Sequence, residues 1–95
     1  MAYELMYIVR PTADEQTLAA VNEKVEKLIA GSGGEITHRD DWGKRRLAFP
    51  ISKFTEGFYI LLQFNFPPTA VRNLERSLTL TEEILRHLVV RVQGT

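Results

Sequence analysis

Residues 57–68 read Gly-Phe-Tyr-Ile-Leu-Leu-Gln-Phe-Asn-Phe-Pro-Pro, and this stretch decides the fold. Phe58, Ile60, Leu62, Phe64 and Phe66 alternate along it, so an extended chain sets all five on one face. Tyr59 and Leu61 begin the opposite face, which turns polar at Gln63 and Asn65. One continuous apolar row of this kind packs on a core. Pro67-Pro68 ends the strand and opens a helix, because proline is tolerated in a first helical turn. Ala70, Val71, Leu74 and Leu78 mark the buried side of that helix. A short connection through Thr81-Glu82-Glu83 leads to a last strand, Leu85–Gln93.

Upstream, Ser52–Gly57 reads as a turn, and residues 35–51 read as one long strand interrupted at Gly43 and Pro50. Past Trp42 its alternation places Arg45, Leu47, Phe49 and Ile51 opposite Lys44, Arg46 and Ala48. Pro50 has no amide to donate, which predicts an edge strand. At the start of the chain, Tyr3–Val9 is apolar on both alternating faces, as a central strand is. Thr12-Ala13-Asp14-Glu15 has the spacing of a capping box. Leu18, Val21, Val25, Leu28 and Ile29 follow as one helical stripe, ending near Gly31-Ser32-Gly33-Gly34.

The element order is therefore β-α-β-β-α-β. Short right-handed connections fold it into an α+β, ferredoxin-like split βαβ plan: a four-stranded antiparallel sheet with two helices on one face. Its 95 residues, 44% hydrophobic and 25% charged, predict a single domain over 1–95 rather than a disordered tail or a two-domain enzyme. With no cysteine there are no disulfides, zinc-thiolate sites or thiol nucleophiles. No apolar run approaches the roughly 20 residues of a membrane span. The opening residues lack the layout of a secretory signal, so a cytoplasmic setting without membrane contact is expected.

Net charge is zero, but its distribution is uneven. Residues 1–37 carry −3, whereas residues 38–53 carry +3 from Arg39, Lys44, Arg45, Arg46 and Lys53 against Asp40 and Asp41. Eight of the twelve cations are arginine, whose planar fork suits phosphate and carboxylate. Three consecutive cations on a strand point both ways, so Arg45 shares a face with Leu47 and Phe49. Trp42 and Gly43 precede them, and cations beside an aromatic suit RNA. The plainer reading is an edge strand kept soluble by charge.

Nothing here has the pattern of catalysis, and no cofactor, metal or small-molecule substrate is expected. His38 and His87 lie on separate strands without a partner at helical spacing. Asp40-Asp41 reads as a solvated turn or a counter-ion for Arg39 and Lys44. There is no nucleophile elbow, phosphate loop or dinucleotide turn. The RNA recognition motif shares the fold plan, but Glu56-Gly57-Phe58-Tyr59 keeps only the Gly-Phe of its third-strand signature.

The run from Trp42 to Lys53, with Glu56-Gly57-Phe58-Tyr59, resembles the hallmark of the bacterial small-subunit ribosomal protein six family. Tyr3–Pro11 and Ile84–Arg91 resemble that family's start and end, so the likeness spans almost the whole chain. It implies a non-enzymatic ribosomal protein that binds the central domain of 16S ribosomal RNA together with small-subunit protein eighteen. It also implies that Lys44, Arg45, Arg46, Trp42 and Phe49, with Arg86 and Arg91 in the last strand, face RNA or the partner. The alternative is a stand-alone ferredoxin-like RNA-binding or regulatory module. A small hydrolase on the same fold ranks last, because Arg10-Pro11-Thr12 offers no glycine-rich anion loop.

Overall fold

A computed structural model describes residues 1–92. The elements are β1 (Ala2–Val9), α1 (Glu15–Gly31), β2 (Glu35–Ile51), β3 (Phe54–Asn65), a 3-10 turn (Pro68–Ala70), α2 (Val71–Thr79) and β4 (Ile84–Arg91). The strands form one antiparallel sheet in the order β2-β3-β1-β4. Central β1 is the strand that is apolar on both sides, and β2, with Pro50, is an edge.

Residues directly opposite on paired strands share a face, so the register sorts the side chains. Tyr3, Leu5 and Tyr7 lie opposite Phe64, Leu62 and Ile60. That row is sealed by Val21, Val25 and Ile29 of α1 and by Leu74 and Leu78 of α2, in one buried cluster. Both helices therefore cover the same face. Within the cluster the Tyr7 hydroxyl donates to Asn22 Oδ1 at 2.7 Å. Burial raises the Tyr7 phenol far above its ordinary range, so it stays a donor at any physiological pH.

The structure departs from the sequence expectations at four places. The Thr12/Glu15 capping box does not form: Thr12 lies in a turn closed by the Ala13 amide on the Arg10 carbonyl. The helix starts two residues later, where the Asp14 carboxylate accepts from the Thr17 amide at 2.8 Å. The turn expected over Ser52–Gly57 contracts to Ser52 and Lys53, both at positive φ (49° and 71°), flanked by the pair Ile51 and Phe54. Strand β3 therefore begins at Phe54, and the β2–β3 hairpin runs past the end of β1, whose Val9 pairs with Phe58.

The third departure is in β2. Arg46 pairs with Glu56 and Ile51 with Phe54, so Leu47–Pro50 lie opposite Thr55 alone. This wide bulge bends the tip of the hairpin, since the extra residues lengthen one strand only. Last, β4 begins at Ile84 and ends at Arg91 rather than spanning Leu85–Gln93. Gln93 itself lies outside the described residues. Pro67-Pro68 opens the second helix as expected, through the 3-10 turn.

Candidate nucleic-acid interface

Among the described residues, none forms a layer over the centre of the sheet face away from the helices. On it stand Glu4, Met6 and Ile8 of β1, Tyr59 and Leu61 of β3, and Arg86, Leu88 and Val90 of β4, as the pairings Met6–Leu61, Ile8–Tyr59 and Ile8–Arg86 require. Leu88 is 61% exposed and Val90 47%, a large apolar exposure for adjacent positions on one strand face.

The bulged hairpin tip folds partway over this face. Leu47 is buried there although every β2 neighbour around it is exposed. Gly57 permits the approach, because a Cβ at that position would overlap the Ile8 side chain. Between tip and sheet lies a groove of about 240 Å³, lined by Met6, Ile8, Leu47, Phe49, Tyr59, Arg86 and Leu88 among others. Across it the Arg86 guanidinium sits 5.5 Å from the Phe49 ring centre, bringing together residues from opposite edges of the sheet.

A second cation–aromatic group lies at the Asp41/Gly43 register shift. Gly43 at φ +76° carries the irregular backbone, and Trp42 is the extra residue. Its ring packs nearly parallel to Tyr59, centroids 6.3 Å apart and planes 12° from parallel. Its indole N–H donates to Asp40 Oδ2 at 3.0 Å. Arg45 lies 5.3 Å from the Trp42 ring centre and donates from Nε to the Trp42 carbonyl at 3.2 Å.

The uncovered face thus gathers Trp42, Arg45, Phe49 and Arg86. The remaining candidates lie elsewhere. Lys44, opposite Phe58 and 5.3 Å from its ring centre, is on the helix side, as is Arg46 opposite Glu56. Arg91 is opposite Tyr3, so Arg86 and Arg91 point to opposite faces. Among the described residues none of the five candidate cations, Lys44, Arg45, Arg46, Arg86 and Arg91, is in a salt bridge; nearby Arg39 is, with Glu26 at 2.7 Å and Asp41 at 3.2 Å. The sequence does not single out Tyr59, Asp40, Leu88 or Val90 as members of this site; for Leu88 and Val90 the available signal is the apolar run on both faces of β4.

Among the described residues no three His, Asp or Glu side chains converge to hold a metal, and no helix is long and apolar enough to cross a membrane. A ferredoxin-like sheet that gathers arginines, aromatics and exposed aliphatic side chains on one face has the layout of a binding protein. The family described as Ribosomal protein S6 matches residues 2–91. A small ribosomal subunit protein bS6 from Caldanaerobacter subterraneus subsp. tengcongensis is 44% identical over 90 residues, 95% of each chain. One from Clostridioides difficile is 42% identical over 93% of this chain and 95% of its own. The crystal structure of 30S ribosomal protein S6 from Thermotoga maritima superposes with a TM-score of 0.91 at 32% identity, covering 96% of this chain and 86% of that one. The chain belongs to the ribosomal protein S6 family, whose members are structural proteins of the small ribosomal subunit and not enzymes.

Proposed function

We propose that this chain, acting as one domain over residues 1–95, binds the central domain of 16S ribosomal RNA together with small-subunit protein eighteen in the cytoplasmic ribosome. The observation that carries this reading is the uncovered face, where unneutralised Arg45 and Arg86 stand beside exposed aromatic and aliphatic side chains. Phosphate attracts the former, and a protein surface covers the latter. A chain of zero net charge releases few counterions on RNA, so a basic partner supplies what it lacks. Lys44, Arg46 and Arg91, on the other side of the sheet, extend the cationic surface around its edges.

The double variant Arg45→Gln/Arg46→Gln tests it. The variant should fold normally and assemble poorly. Each lost phosphate contact should flatten the log–log salt dependence of ternary-complex formation by about one unit. If contacts with the protein are lost instead, the heterodimer measured without RNA weakens. Assembly with wild-type affinity and slope leaves Arg45 and Arg46 only the role of shielding an edge strand, and refutes the reading.

A further inference from the structure

Asp40 stands on the same face as Arg45, where a carboxylate opposes any phosphate that the arginine attracts. Its neighbour Asp41 is engaged by Arg39 on the helix side. Asp40 has no ion pair among the described residues; its one polar contact there is the indole N–H of Trp42. Trp42 needs that contact. It is the extra residue of a register shift, so strand pairing does not aim its side chain, and it is 37% exposed. Apart from the Arg45 guanidinium at its ring, the indole is held by the Asp40 acceptor at one end and the nearly parallel Tyr59 ring.

Arg45 in turn depends on Trp42 twice, through its Nε on the Trp42 carbonyl and its guanidinium against the ring. With Nε used, the four N–H groups of Nη1 and Nη2 remain, the set that binds a phosphate through two oxygens. A guanidinium already oriented loses less freedom on binding than a free one.

We propose that Asp40 is a positioning residue for RNA: it fixes the Trp42 indole, and the indole holds the Arg45 guanidinium ready for one backbone phosphate. The inference rests on the proposed RNA contact and adds a residue whose charge alone would act against it.

That opposition of sign supplies the test. Asp40→Asn and Asp40→Ala remove the same negative charge, but only asparagine keeps an acceptor for the indole N–H. Affinity for the 16S central-domain fragment with protein eighteen present should be at least wild-type for Asp40→Asn. For Asp40→Ala it should fall about two- to tenfold, the span of one modest hydrogen bond. In a Trp42→Phe background, which lacks the indole donor, Asp40→Ala should cause no further loss. Trp42 is the sole tryptophan, so acrylamide quenching of the free protein reports its position; quenching should rise for Asp40→Ala and not for Asp40→Asn. Equal affinities for the two Asp40 variants, or tighter binding by both, overturn the proposal while Arg45→Gln still weakens binding. Weakening of the RNA-free heterodimer by Asp40→Ala assigns the group to the protein partner and also overturns it. An unchanged affinity for Arg45→Gln removes the RNA contact itself, and the proposal with it.

Discussion

Truncating Leu62 to alanine removes a side chain with no exposed surface, opposite Leu5 in the centre of the sheet and beneath the helices. The site is closed on all sides by other core residues, so the cavity has little room to collapse. The loss should fall at about 2–5 kcal/mol, as for large-to-small changes in well-packed cores. With a urea slope of about 1.5 kcal/mol per molar, a loss of about 3 kcal/mol lowers the midpoint by roughly 2 M. In a domain that holds only about 5–15 kcal/mol in total, this is a large fraction. Leu61, one residue earlier, is half-buried on the uncovered face. Its truncation gives up only part of a leucine's transfer free energy, about 1 kcal/mol. Urea melts of the two variants, with unchanged slopes, measure both. A larger loss for Leu61→Ala than for Leu62→Ala would refute the assignment of faces, and with it the identity of the sheet face that the helices leave uncovered.

Two further effects follow from the interior and from the first helix. Tyr7→Phe leaves Asn22 Oδ1 buried without its donor, and should cost about 1–3 kcal/mol in denaturant melts; a loss near zero would mean the pair carries no weight. The Thr17 amide holds the Asp14 carboxyl below its ordinary pKa, so the cap stabilises the fold at neutral pH and is lost as pH falls through that lowered value. Asp14→Ala should therefore lower Tm at neutral pH and flatten the decline in Tm below about pH 4; parallel Tm curves for variant and wild type would contradict this.

Much of the fold was legible because its elements carry unmixed signals. Tyr3–Val9, apolar on both faces, had to be central, and Phe58–Phe66 had to turn one row to a core. The hairpin tip was harder. Ser52 and Lys53 adopt positive φ without the glycine or asparagine that usually announces such a turn. The alternation of Leu47, Phe49 and Ile51 looks like regular strand, although Leu47–Pro50 are a bulge. Nothing local says that Phe49 will cross the sheet to Arg86, since that contact depends on how the tip bends over Ile8. The split of Arg45 from Lys44 and Arg46 followed from simple alternation. The same parity separates Arg86 from Arg91, whose odd spacing sets them on opposite faces. Trp42 escapes such counting because the register shift at Gly43 sets its direction.

The central claim is that this neutral chain reaches ribosomal RNA jointly with a protein partner. Filter binding of the 16S central-domain fragment at physiological salt, with this chain alone, with protein eighteen alone and with both, tests it most directly. The account predicts weak or undetectable binding by the chain alone and tight binding by the pair. Tight binding by the chain alone, equal to that of the pair, would contradict it.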